Sequence, residues 1–131
     1  MIIVDTSVWV DYFNGTLSKE TDSLDTMLGN QEIILGDLIM TLNPSRFFLK
    51  DRLFREAQDM LESFPIVPML GMPLVIQSAT NYRILRKRGV TVRKTIDVMI
   101  GTYCIENRIP LLYADRDFDP MVRHLGLQAV L

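Results

Sequence analysis

Residues 2–9 read IIVDTSVW, and this stretch decides how the rest of the chain is interpreted. A short β-branched run without alternation is typical of a strand that is buried on both faces. The acid and the two hydroxyl residues that follow it have side chains that accept hydrogen bonds from the free N–H groups at a helix start. The stretch therefore predicts a buried strand that passes directly into a helix, with Asp5 at the junction.

The same alternation continues along all 131 residues. Apolar runs predict further strands at 32–35, 66–68, 111–114 and 129–131. Helical patterns cover 8–13, 18–28, 38–40, 53–61, 73–88 and 95–107, and Asn43-Pro44 is expected to end or break the third of these. Strands alternating with helices indicate an α/β domain with a mostly parallel sheet covered on both faces. We expect one domain over residues 1–131.

Composition excludes several classes of protein. Hydrophobic residues make up 48% and charged residues 23%, a balance that argues against disorder. The single cysteine, Cys104, rules out a disulfide framework and is expected to lie in the core. No apolar run is long enough to span a membrane, and the N-terminus reaches an acid too early for a signal peptide. We therefore expect a cytoplasmic protein.

Two acids follow predicted strands, because Asp5 comes after Ile2-Ile3-Val4 and Asp115 follows the run 111–114. Parallel strands present their carboxyl ends at one edge of the sheet, where ligands bind in such folds. Asp97 interrupts an apolar helical face, and Asp117 lies two residues beyond Asp115. Carboxylates this close favour a divalent cation such as Mg²⁺ or Mn²⁺, since otherwise each would raise the pKa of the others. Taken one at a time, each acid could instead serve only as a helix cap or a solvated turn.

Basic residues are concentrated in the second half of the chain. Residues 1–62 hold 5 basic and 11 acidic side chains, whereas residues 63–131 hold 9 basic and 5 acidic ones. A solvated helix end explains the run 86–88. It does not explain Arg93 and Lys94, which stand just before Asp97, where a phosphodiester substrate would require cations. We expect these two residues to contact substrate.

Four motifs together make the chain recognisable, and they read MIIVDTSVW at 1–9, GDLI at 36–39, RKTID at 93–97 and ADRDF at 114–118. In this order and at this spacing they resemble the PIN-domain ribonucleases, and most closely the VapC toxins of bacterial toxin–antitoxin pairs. The resemblance implies a three-layer α/β/α sandwich, usually a homodimer, that cleaves RNA with Mg²⁺ or Mn²⁺. It also implies a VapB-like antitoxin as partner.

The resemblance assigns roles to particular residues. The acidic set of the family corresponds to Asp5, Asp97 and Asp115, as catalytic residues and metal ligands, with Asp117 as a supplementary ligand. Ser7 matches a hydroxyl beside the first acid, where it can bond a metal-bound water or a phosphate of the substrate.

The chain departs from the family pattern at one position. Where the family has a Glu after the GDLI motif, this chain has Leu42, followed by Asn-Pro-Ser-Arg-Phe at 43–47. Asp37 lies about 140° around a helix from position 42, which makes it a poor substitute. Codons for 43–47 can be chosen so that the next reading frame encodes Ile-Leu-Gln-Gly-Phe, close to the family pattern. We hypothesise a compensated frame slip over about residues 42–50, which codons incompatible with that frame would disprove.

Two other functions stay open at this point. A PIN-fold protein that has lost catalysis at Leu42 could act mainly as the antitoxin-binding, regulatory partner of a complex. A phosphatase using Asp5 as nucleophile would ordinarily have a second Asp two residues later, where this chain has Ser7. Metal-dependent RNA cleavage by the purified, antitoxin-free protein would favour the nuclease over the regulatory partner, and a stable phosphoaspartate would favour the phosphatase.

Replacing residues 42–47 with Glu-Ile-Leu-Gln-Gly-Phe tests the missing ligand. We expect this chimera to bind Mn²⁺ more tightly and to cut RNA about tenfold faster, which corresponds to about 1.4 kcal/mol of activation free energy. Leu42→Glu alone is the control, because Pro44 would leave the new carboxylate on a misdirected turn. Calorimetric Mn²⁺ titration and a single-turnover RNA assay measure both effects, and no difference between chimera and parent would contradict the argument.

Overall fold

The computed structural model describes residues 1–42 and 48–131, and it has the predicted alternation of strands and helices. In chain order the elements are β1 (Ile2–Val4), α1 (Thr6–Phe13), α2 (Lys19–Met27), β2 (Ile33–Gly36), α3 (Asp37–Leu42), α4 (Asp51–Glu62), β3 (Ile66–Val67), α5 (Met72–Lys87), α6 (Thr95–Glu106), β4 (Leu111–Leu112), a 3₁₀ turn (Arg116–Phe118) and α7 (Asp119–Leu125). The break predicted at Asn43-Pro44 and most of the hypothesised frame slip lie outside the described residues.

The four strands form one parallel sheet in the order β3-β2-β1-β4. Ile3 is in register with Ile34 of β2 on one side and with Leu111 of β4 on the other. The predicted last strand is reduced to a single parallel bridge between Leu111 and Ala129. Helices flank this sheet, which confirms the expected α/β/α sandwich.

The sheet centre is fully buried, as the unalternated strand pattern predicts. Every residue of β1 and β2 is buried, and so are Leu111 and Leu112. Trp9 is also completely buried; its ring stacks on Phe13, and it packs against Phe64 with ring centroids 5.5 Å apart. Burying the central strands on both faces holds their carboxyl ends in fixed positions, and these ends carry the acids discussed below.

No helix in the described part of the chain is long and apolar enough to cross a membrane. Cys104 is buried on α6, as expected, and burial raises the pKa of its thiol to about 12. The thiol therefore stays protonated at neutral pH and is not a nucleophile.

Helices α5 and α6 pack against each other around a buried polar contact. The Asn81 Nδ2 donates to Thr102 Oγ1 at 3.0 Å, and the same hydroxyl donates to the Val98 carbonyl at 2.6 Å. Asn81 is 4% exposed and Thr102 is not exposed at all. Neither side chain can exchange this contact for water, so the pair fixes how α6, and with it Asp97, lies against α5.

Removing one partner of this contact should lower the free energy of unfolding, and removing both should lower it by less than the sum of the two single losses. We expect Thr102→Val to lower the free energy of unfolding by about 1–3 kcal/mol, because the Asn81 amide is left buried without its acceptor. The double variant Asn81→Leu/Thr102→Val should lose less free energy of unfolding than the two single variants lose in total. Urea denaturation measures these values, with the exposed Thr80→Ala on α5 as a control of less than about 0.5 kcal/mol. Strict additivity would contradict the proposed coupling.

Candidate metal centre

Asp5 lies where β1 turns into α1, and its position follows directly from the local sequence. Its carboxylate Oδ2 accepts a hydrogen bond from the Ser7 N–H at 3.0 Å, so it caps the N-terminus of α1. The residue is only 4% exposed. Burial raises the pKa of Asp5. The hydrogen bonds from Ser7 lower this pKa in part, and the negative charge of Asp115 raises it further. Asp5 thus serves as a helix cap and is also a constrained, buried acid.

Ser7 joins the two strand ends that carry the acids. Its hydroxyl donates to Asp5 Oδ2 at 2.6 Å and accepts from the backbone N–H groups of Ala114 at 3.1 Å and Asp115 at 3.3 Å. A serine hydroxyl has one hydrogen and two lone pairs, and these contacts use all of them. In this structure Ser7 therefore positions Asp5 against Asp115, and the substrate contact expected for it stays a prediction.

Asp97 lies in the first turn of α6 and is 7% exposed. Among the described residues its Oδ2 has no hydrogen-bond partner, and the Lys94 ammonium lies 3.5 Å away, at ion-pair distance. Burial raises the pKa of Asp97 to about 6, and the nearby charge of Asp5 adds to the shift. A buried carboxylate oxygen without a hydrogen-bond donor is costly, and the Lys94 charge at this distance offsets that cost only in part, so the oxygen is available to a cationic ligand.

Asp115 and Asp117 belong to the turn that follows β4. Asp115 caps this turn by accepting the Asp117 N–H on Oδ1 at 3.0 Å, while its Oδ2 accepts from Lys94 Nζ at 2.6 Å. Burial alone would raise the pKa of Asp115. The hydrogen bonds from Lys94 and from the Asp117 backbone, with the charges of Lys94 and Arg93, outweigh burial and hold the pKa below its usual value.

The structure brings these acids together. Asp97, Asp115 and Asp117 each offer a carboxylate oxygen, and the three oxygens lie within 4.8 Å of one another. Asp5 is not part of that three-oxygen set, but its charge acts on Asp97. Carboxylate oxygens at this spacing suit a hard cation such as Mg²⁺ or Mn²⁺. Among the described residues α3 adds no carboxylate to this set, and Asp37 instead accepts the Met69 N–H at 3.0 Å.

Arg93 and Lys94 lie at the cluster, as their sequence position suggests, but each pairs with its acids. Arg93 Nε lies 3.2 Å from Asp117 Oδ2, and Lys94 bridges Asp97 and Asp115. The hydrogen bond to Asp115 raises the pKa of Lys94. Their place before Asp97 in the chain predicted cations near the acids, but not that these cations neutralise them. The sequence held one signal for this pairing: a basic segment without acids runs directly into the first turn of α6, which carries an acid.

Arg116 is a further charged residue at the site, to which the sequence motifs assigned no role. It lies between Asp115 and Asp117 in the chain and forms long ion pairs with Glu20, at 3.9 Å, and Asp119, at 3.8 Å. Together with Arg93, Lys94, Asp97 and Asp117 it lines a small cavity beside the cluster. Alternation of acids with a base in the ADRDF motif was the only signal for this residue in the sequence.

The family model described as PIN domain matches residues 2–123. The chain is 26% identical over 132 residues to VapC ribonuclease Mb1587 of Mycobacterium bovis and to ribonuclease VapC11 of Mycobacterium tuberculosis, with 98% of this chain and 97% of each relative covered.

Two solved structures share the fold at 15% sequence identity. One is VapBC2 from Rickettsia felis bound to a DNA fragment from their promoter, with a TM-score of 0.75 and coverage of 98% of this chain and 97% of that one. The other is FitAcB from Neisseria gonorrhoeae, with a TM-score of 0.74 and coverage of 98% and 96%. Both confirm the expected architecture.

The raised pKa of Asp97 makes the stability of the metal-free chain depend on pH. The folded value of about 6 exceeds the ordinary 3.8, so protonated Asp97 favours the fold. The bound proton adds up to about 3 kcal/mol to the free energy of unfolding. This stabilisation is complete below about pH 4 and is lost as the pH rises through about 6. Asp97→Asn should therefore raise the free energy of unfolding at pH 7 and flatten its pH dependence, as measured by urea denaturation with a chelator present. The exposed Asp59→Asn is the control, and an equal pH slope in wild type and Asp97→Asn would contradict the assignment.

Proposed function

This chain belongs to the PIN domain family, and we propose that it is a metal-dependent endoribonuclease of the VapC type, the toxin of a toxin–antitoxin pair. One observation carries the proposal. Three carboxylates converge at the carboxyl edge of a parallel sheet, and one of them, Asp97, is buried with an oxygen that lacks a hydrogen-bond donor. Relatives that span the whole chain are named ribonucleases, which supports RNA as the substrate class.

The acids fit a divalent cation, Mg²⁺ or Mn²⁺. Asp97, Asp115 and Asp117 would hold it, with Asp5 close enough to add its charge or a ligand oxygen. When bound, such an ion activates water and stabilises the charge that develops on a phosphodiester. Asp5, Asp97 and Asp115 are thus the proposed catalytic acids, and Asp117 completes the metal set.

The remaining residues of the site act by position and charge. Ser7 holds Asp5 against the β4 end through its three hydrogen bonds, so we assign it a positioning role in addition to the predicted substrate contact. Arg93 and Lys94 are 70% and 49% exposed at their side chains and stand at the cluster, where they would meet the phosphates of an RNA strand.

The proposed partner is a VapB-like antitoxin that covers the acidic cluster. The two structural relatives were solved as VapBC2 and FitAcB, which supports a complex of this kind. A homodimer and a cytoplasmic location, both implied at the sequence level, belong to the same proposal.

A second function stays open because, in the described residues, α3 contributes no carboxylate to the acidic cluster. The family pattern that the chain resembles predicts a carboxylate at the position of Leu42, the last residue of α3, and Asp37 on the same helix accepts a hydrogen bond from the Met69 N–H instead of joining the cluster. A chain weakened in this way would serve mainly as the antitoxin-binding, regulatory partner. The two functions would share the fold and the partner and would differ in whether RNA is cut.

RNA cleavage by the wild-type chain separates these two functions, and Asp5→Asn tests the proposed catalytic role of Asp5. We expect the purified wild-type chain, free of antitoxin, to cleave RNA with Mg²⁺ or Mn²⁺, and Asp5→Asn to lose at least about a hundredfold in rate, or about 2.7 kcal/mol. The fold should survive, because Asn caps a helix as well as Asp does and can still accept from Ser7. Circular dichroism checks the fold, and Asp59→Asn on the exposed face of α4 is the matched control.

Two outcomes of this experiment would count against the nuclease. A wild-type chain that does not cut RNA in either metal would favour the regulatory alternative. Full activity in Asp5→Asn would remove Asp5 from the proposed catalytic set.

A further inference from the structure

The two successive cations before α6 neutralise the clustered acids. Lys94 Nζ lies 2.6 Å from Asp115 Oδ2 and 3.5 Å from Asp97 Oδ2, while Arg93 Nε lies 3.2 Å from Asp117 Oδ2. Each of the three carboxylates that fit a metal ion is thus paired with a cation from the same two residues. The three basic residues at 86–88, Lys87 among them, form no ion pair within the described residues.

We propose that Lys94 is an internal competitor of the divalent cation, which must displace its ammonium from Asp115 and Asp97. This inference rests on the proposed metal-dependent function. A carboxylate oxygen that accepts a short hydrogen bond from an ammonium cannot also coordinate a dication freely, because the two positive charges would repel at close range. Lys94 therefore sets how much metal the site requires.

The chemistry of lysine suits this role. Its charge is a compact point at the end of a flexible four-carbon stem, so the ammonium can leave without moving the backbone. The side chain is 49% exposed and thus has solvent to move into. Its backbone forms the N-cap position of α6, one helical turn from Asp97, so a displaced ammonium stays at the rim of the cluster. At the rim the Lys94 ammonium would contact an anionic phosphodiester. Metal binding would therefore make the Lys94 charge available to the substrate.

A series of variants at one position separates local competition from general electrostatics. Lys94→Met removes the ammonium but keeps an unbranched stem. Lys87→Met removes the same charge from an exposed position on α5 that has no acidic partner among residues 1–42 and 48–131. Lys94→Arg keeps the charge but pairs more firmly with carboxylates through its planar fork. The measured quantity is the dissociation constant for Mn²⁺ alone, determined by calorimetry on the purified full chain.

We expect Lys94→Met to bind Mn²⁺ about tenfold more tightly than Lys87→Met, and Lys94→Arg to bind it more weakly than wild type. Without metal, Lys94→Met should be less stable than wild type, because its acids have lost their counterion. Saturating Mn²⁺ should then raise its melting temperature by more than it raises that of Lys87→Met. This second measurement shows that the variant folds and reports affinity independently of any RNA assay.

Equal Mn²⁺ affinities in Lys94→Met and Lys87→Met would overturn the inference, because only net charge would then matter. Weaker binding by Lys94→Met would overturn it as well, since Lys94 would then help to hold the ion. If the wild-type chain cuts RNA with metal, either of these two results leaves the proposed function unaffected. A wild-type chain that binds no Mn²⁺ overturns the metal-dependent function itself, and this inference with it.

Discussion

The Ser7 hydroxyl ties the end of β1 to the end of β4, and the geometry of the acidic cluster depends on this link. The hydroxyl donates to Asp5 and accepts from the N–H groups of Ala114 and Asp115. Parallel pairing of the two strands brings their ends to one edge, but pairing alone leaves side-chain positions free. A saturated hydroxyl between them removes that freedom, so the acids are held close in spite of their mutual repulsion.

Holding the acids close has an energetic cost that the surrounding residues offset in part. Asp5 and Asp97 are buried, and burial raises the pKa of each, so both carboxylates are destabilised in the charged form. Asp115 has the opposite shift because Lys94 donates to it. Neighbouring groups with pKa values moved apart in this way are typical of functional sites, where stability is lower than packing alone would allow.

Much of this fold could be predicted because its signals are local. The β-branched run of β1, the hydroxyl residues after it and the apolar faces of the long helices depend on neighbours within a few residues. Strand lengths were less predictable: residues 111–114 suggested four strand residues, whereas β4 has two. Tyr113 lies outside β4, and its hydroxyl donates a hydrogen bond to Asp119. The turn after β4 determines this contact, and strand propensity does not predict it.

By itself, the sequence determined the order of strands and helices, the parallel character of the sheet and the presence of acids at Asp5, Asp97 and Asp115. It could do so because hydrophobic periodicity and helix capping depend on residues that are close together in the chain. Only the tertiary structure decided which oxygens face each other and which cations pair with them. Lys94 contacts Asp115 across 21 residues, and Ser7 contacts Asp115 across 108. Contacts at such separations depend on strand register and helix packing, which no local pattern encodes.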